Sequence, residues 1–164
     1  MTGPVPRRLT LTAGESRFIL ACTAVPDTTG QSPTVVLLVD DDDMNLKMFG
    51  AILDRAGFAT VTAMTGEEAL DTARRTRPAV VLMDIGLPTI DGLETTRRMK
   101  SDPELALIPV IAVTAWASSE DRERAMSAGC AAFLSKPVSM KDLIETVRRS
   151  AEGPGGAGPR SGAG

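Results

Sequence analysis

The sequence predicts a doubly wound α/β fold, with a five-stranded parallel sheet covered by helices on both faces. Short β-rich runs alternate with amphipathic stretches from residue 34 to residue 150. Three of those runs, TVVLLV (34–39), AVVLM (79–83) and PVIAVT (109–114), are continuously apolar, as strands buried on both faces must be. Glycine and proline punctuate the alternation: Ala56-Gly57 and Ala128-Gly129 close helices, and Pro78, Pro88 and Pro109 mark loops or strand starts.

The elements follow in order. The first strand (34–39) leads into a helix over 44–56, where Leu46, Phe49, Ile52 and Leu53 fall at helical spacing. The run ATVTA (59–63) is of mixed polarity and suits an edge strand; a helix over 66–76 follows, opening at Gly66. The third strand (79–83) precedes a helix over 91–100, and the fourth (109–114) a helix over 118–128 that starts at Ser118 or Ser119. AAFL (131–134) is the fifth strand, and the last helix, 138–149, carries Leu143, Ile144 and Val147 on one side. The first, third and fourth strands are the expected interior ones. Residues 1–33 mix Pro, Gly, Thr and Ser without a period, and residues 151–164 are nearly all Gly, Ala and Pro, so both read as flexible tails around a folded unit of residues 34–150.

Composition narrows the function. A chain of 164 residues that is 43% hydrophobic and 24% charged has the make-up of one soluble globular domain with tails. A net charge of −3 supplies no broad positive field for a phosphate backbone, so direct nucleic-acid binding is not expected. The chain has no histidine, which excludes a His-based triad, a His-ligated zinc and a phosphohistidine of its own. Cys22 and Cys130 lack metal spacing and read as a tail residue and a small buried hydrophobe, consistent with a reducing cytoplasm. Phe18 to Cys22 loosely suggests a lipoprotein-type cleavage site, but Glu15 and Arg17 interrupt the apolar stretch, and no run reaches the length of a membrane span.

In an open parallel sheet, ligands bind beyond the carboxyl ends of the strands. Asp40-Asp41-Asp42-Asp43 follows the first strand, Asp84 the third, Thr114 the fourth and Ser135-Lys136-Pro137 the fifth. Several carboxylates in one pocket repel each other unless a cation neutralises them, and an all-oxygen donor set favours Mg²⁺, with Mn²⁺ as the alternative. Asp41 and Asp84 are the candidate direct ligands. A carboxylate screened by a metal and a lysine can also be the nucleophile in phosphoryl transfer, and Asp84, alone at the end of a buried strand, suits that role. Lys136 and Thr114 would contact the non-bridging oxygens. Each residue also has a plainer reading: Asp43 as a helix cap, Asp84 in an Asx-turn, Thr114 as a strand-end hydroxyl, Lys136 as a surface charge. Their placement after four strands of one sheet is what favours chemistry.

VLLVDDDDMN, VLMDIGLPTIDG, VIAVTA and FLSKP resemble, in order, the four motif blocks of the response-regulator receiver domain. The flavour of MNLKMF, MDIGLP, IAVTAWA and GCAAFLSKP is similar to its single-domain cell-division regulators. The resemblance implies a (βα)5 flavodoxin-like, CheY-like fold of strand order 2-1-3-4-5. It implies Asp84 as phosphoacceptor, Asp40 (through water) and Asp41 as the acidic pair, Gly86 giving a backbone carbonyl to Mg²⁺, Thr114 as switch hydroxyl, Lys136 as phosphate-binding lysine, and Phe133 in place of a rotating aromatic that is commonly tyrosine. It further implies a non-enzymatic cytoplasmic switch of a two-component phosphorelay, phosphorylated by a sensor histidine kinase or histidine phosphotransfer protein. Output would pass to a downstream protein through the face of the fourth helix, fifth strand and fifth helix, with no membrane partner.

Other readings stay open: a receiver cut from a hybrid kinase, a docking-only receiver, and a haloacid-dehalogenase-type phosphatase using Asp40 or Asp41. The last is disfavoured by Met44 and Asn45 where Thr or Val is expected, by the lack of a later acidic pair and by the lack of a cap-sized insertion. Trp116 is expected to be a partly buried loop anchor, with a partner contact as the sharper reading.

Overall fold

The computed structural model describes residues 33–153. Cys22 and the Phe18–Cys22 motif lie outside them, as do both expected tails apart from residue 33 and residues 151–153. The element order is β1 (Val35–Val39), α1 (Asp43–Arg55), β2 (Ala59–Ala63), α2 (Gly66–Thr76), β3 (Val80–Asp84), α3 (Gly92–Ser101), β4 (Val110–Thr114), α4 (Ser119–Ser127), β5 (Ala132–Ser135) and α5 (Met140–Glu152). All strands pair in parallel, in the order β2-β1-β3-β4-β5. This is the expected doubly wound sheet, with β1, β3 and β4 inside and the mixed run β2 at one edge.

Period-two alternation sorts the strand side chains into two cores. On one face, Leu37, Val39, Val81, Met83, Val110 and Ala112 pack with residues of α2, α3 and α4, including Leu70, Met99 and Ala125. On the other, Val36, Leu38, Val80, Leu82, Ile111 and Val113 pack with Leu46, Phe49 and Leu53 of α1 and Leu143 and Val147 of α5. Strands covered on both sides need no polar alternation, which is why these runs are continuously apolar. Cys130 is buried in the first core, as expected of a small hydrophobe.

Every helix opens on a side-chain cap: Asp42, Thr65, Asp91, Ser118 and Ser139 each accept a backbone N–H of the first turn. The expectation that Asp43 caps α1 is corrected. Asp42 keeps extended backbone angles and accepts from the Met44 N–H at 2.8 Å, while Asp43 is already helical and pairs with Lys47 one turn on. The last helix begins at Met140, later than expected, and runs to Glu152, two residues past the boundary drawn at 150, stopping at Gly153.

Gly92 fixes how α3 leaves the strand that carries Asp84. A Cβ at this position would lie 2.1 Å from the Asp84 carbonyl oxygen, so any side chain forces backbone apart. Gly92→Ala is expected to cost about 2–4 kcal/mol. Gly57→Ala, at φ +93° but in open space, should cost about 1–2 kcal/mol. Urea denaturation of the two variants checks the order, and equal losses would contradict the close approach.

Candidate functional site

Three adjacent strands end in the same way. At the tip of β1, Asp40 Oδ1 accepts the N–H of Asp42 (2.9 Å); at the tip of β3, Asp84 Oδ1 accepts the N–H of Gly86 (3.1 Å); at the tip of β4, Thr114 Oγ1 accepts the N–H of Trp116 (3.1 Å). Each is a turn in which a side-chain oxygen bonds the backbone two residues on. The chain can thus leave the sheet while the oxygen-bearing side chain is held over its edge. The plain reading of Asp84 as an Asx-turn residue is true, and it is also how the site is built.

Asp40, Asp84 and Thr114 are buried, with 3%, 8% and 3% exposure. Asp41 is exposed. Asp40, Asp41 and Asp84 each bring a carboxylate oxygen within 4.8 Å of the others. Opposite them, from the end of β5, Lys136 Nζ lies 3.0 Å from Asp40 Oδ2 and 3.6 Å from Asp84 Oδ2. The backbone N–H of Lys136 donates to the Thr114 carbonyl at 2.7 Å, tying the β5 tip to the β4 tip. The four expected strand ends therefore meet. Phe133 is half-buried on β5 and packs on the core beneath α2, α3 and α4. Gly86 is exposed just past Asp84.

Two features were not foreseen. Asn45, in the first turn of α1, donates its amide to Asp40 Oδ2 at 3.0 Å, the oxygen that Lys136 also holds. A polar amide one turn into the helix after an acidic run was the available signal. Trp116 is 79% exposed, which corrects the expectation of a partly buried anchor. It follows the β4 tip, where the chain has left both core layers, and only its backbone is tied to the site.

The carboxylates fit a hard divalent cation. Asp41 is free in solvent, Asp84 has one oxygen beside the ammonium, and all donors are oxygens. Burial pushes the Asp84 carboxyl above its ordinary range; the Gly86 N–H and Lys136 pull it back, while Asp40 and Asp41 push it further up. Burial works against the Lys136 ammonium, but its hydrogen bond to Asp40 and the nearby charges of Asp84 and Asp40 win, leaving its pKa above the usual lysine value. The lysine stays charged at neutral pH beside a carboxylate that is reluctant to ionise.

A carboxyl whose pKa rises on folding stabilises the fold while protonated, and that contribution is lost as pH climbs through the folded-state value. Asp84 therefore costs stability at neutral pH. In metal-free buffer Asp84→Asn is expected to melt above the parent at neutral pH, with the gap closing as pH falls below the ordinary carboxyl range. Thermal melts from about pH 4 to about pH 8 check this; an asparagine variant that melts lower at neutral pH would contradict it.

Residues 36–148 match the family described as the response regulator receiver domain. The polar-differentiation response regulator DivK of Brucella anthropi is 47% identical over 116 residues, covering 71% of this chain and 94% of the relative. DivK of Brucella ovis is 46% identical over 113 residues, covering 69% and 92%. Among solved structures, a CheY-like receiver domain protein from Methanospirillum hungatei superposes with a TM-score of 0.69 at 30% identity, over 74% of this chain and 95% of the other. The receiver domain of a sensor histidine kinase from Pseudomonas aeruginosa, solved with a magnesium ion coordinated in its active site cleft, gives a TM-score of 0.68 at 32% identity over 73% and 98%. Of the second aspartates the phosphatase pattern would use, Asp42 caps α1 and Asp43 pairs with Lys47 on the helix surface. With its five-stranded order, its converging strand tips and this sequence match, the chain belongs to the response regulator receiver domain family of two-component signalling.

Proposed function

We propose that this receiver is a phosphoryl-accepting switch in which Asp84 takes the group. The observation that carries the reading is the Asp84 carboxylate at the end of a buried strand, with Lys136 Nζ 3.6 Å away and the oxygens of Asp40 and Asp41 within 4.8 Å. A bound Mg²⁺ would neutralise the carboxylates and screen the phosphate oxygens from them. Asp41, Asp84 and the Gly86 carbonyl would hold the ion directly, and Asp40 through water.

The donor is a phosphohistidine on a sensor histidine kinase or histidine phosphotransfer protein, since this chain has no histidine of its own. The P–N bond to the donor imidazole breaks, a P–O bond to the Asp84 carboxylate forms, and the imidazole leaves neutral after taking a proton. Water later cleaves the acyl phosphate to restore Asp84 and release inorganic phosphate. Lys136, charged throughout, stabilises the negative oxygens of the transferring group. Thr114 supplies a hydroxyl hydrogen bond to one of them. To do so it reorients away from its turn, making room for Phe133 and altering the face of α4, β5 and α5 that a downstream protein reads.

Incubation with acetyl phosphate and Mg²⁺ is expected to add one phosphoryl group to the parent by intact mass and none to Asp84→Asn. Lys136→Ala should be slower by roughly a hundredfold. Labelling of the asparagine variant at the parent rate would end the proposal.

The Trp116 N–H bonds the Thr114 hydroxyl oxygen, so reorientation at Thr114 changes the loop that bears the indole. Trp116 fluorescence is expected to change on phosphorylation in the parent and to stay flat in a Thr114→Ala variant that still takes up phosphate. An equal response in both would remove Thr114 from the coupling.

A further inference from the structure

We infer that Asn45 is a positioning residue for the acidic site: its amide fixes the Asp40 carboxylate so that one acceptor direction is left for a cation-bound water. The inference rests on the proposed function and adds to it a residue outside the four strand tips.

A carboxylate offers about four lone-pair directions. Three of Asp40's are taken. Oδ1 accepts the Asp42 N–H at 2.9 Å, and Oδ2 accepts both the Asn45 amide and the Lys136 ammonium at 3.0 Å each. Three donors from three places, the β1 tip, the first turn of α1 and the end of β5, leave the carboxylate no free rotation. One direction remains, which suffices for a single water on a cation held by Asp41 and Asp84.

Asn45 and Lys136 differ in what they contribute at this shared oxygen. Lys136 is long, and it is also drawn toward Asp84. Asn45 is short and its backbone is part of a capped helix, so its amide has little freedom to leave. When Lys136 turns to a phosphoryl group, Asn45 is the donor still holding Asp40 Oδ2. Without it the carboxylate would be fixed on one side only, and a group that orients a metal's ligands typically costs about tenfold or more in metal affinity when removed.

The test uses the full chain, with Mg²⁺ affinity measured by isothermal titration calorimetry without any phosphodonor. Asn45→Leu keeps the approximate size but removes the donor; Asn45→Gln keeps a donor on a longer arm. Asn45→Leu is expected to weaken Mg²⁺ binding about tenfold. Asn45→Gln should recover most of the loss, and the rate of uptake from acetyl phosphate should return to near the parent's at saturating Mg²⁺. A purely structural role would lower the melting temperature and leave the Mg²⁺ affinity unmoved. Should the leucine variant not fold, Asn45→Ala carries the same comparison. Unchanged affinity in the donor-less variant, or equal losses with leucine and glutamine, would overturn the inference alone. A parent chain that binds no Mg²⁺ and takes up no phosphate would overturn the proposed function as well.

Discussion

Holding three carboxylates near one another at the end of a buried sheet is the constraint on which the rest of this structure depends. Like charges at this spacing repel, and burial makes the ionised form of Asp84 dearer still. The fold opposes this with one ammonium placed among them and with backbone N–H groups aimed at the oxygens. Those donors come from the turns that end β1 and β3, and the ammonium from the end of β5. The strand order makes the meeting happen: β1 and β3 lie side by side although β2 separates them in sequence. Their carboxyl-end loops turn to opposite faces of the sheet and leave a crevice where Asp40 and Asp84 face each other.

A site that costs stability must be carried by the scaffold. The two core layers are anchored on the same three central strands, so the strand tips cannot drift without disturbing packing on both faces. Gly92 adds a second restraint, because the start of α3 sits against the Asp84 carbonyl itself. Asp84 is consequently held in a position where its ionised form is disfavoured, and in the proposed function a cation would relieve what the fold imposes. The desolvation of this one carboxylate is the source of the stability cost, and in the proposed function it would underlie the reactivity as well.

Much of this was legible in the sequence because the signals are chemical and local. Continuous apolar runs gave the interior strands, the mixed run ATVTA gave an edge, and the polar residues after the other four strands are the ones the fold brings together. Less legible were choices among near-equivalents. Any of four consecutive aspartates can cap a helix, and only the backbone angles at Asp42 decide the matter. The average burial of tryptophan says nothing of a residue just beyond a strand tip, and Trp116 points into solvent. The amide of Asn45 shortly after an acidic run was a weak signal, because whether it reaches Asp40 depends on how the first turn of α1 swings away from the β1 tip.

The resting position of Lys136 bears on how such a site could switch. Its ammonium is closer to Asp40 than to Asp84, so a phosphoryl group on Asp84 would have to draw the lysine from a carboxylate that already satisfies it. Thr114 is held in the same manner, its hydroxyl oxygen taken by the Trp116 N–H and its carbonyl by the Lys136 N–H. Both groups proposed to contact phosphate therefore have partners at rest, at the tips of β1, β3, β4 and β5, although the Thr114 hydroxyl only accepts and keeps its own proton to donate. Contact with phosphate would draw the Lys136 ammonium from Asp40 and add a hydrogen bond donated by the Thr114 hydroxyl, and because the Lys136 N–H is bonded to the Thr114 carbonyl the β4–α4 loop and the β5 tip would respond together.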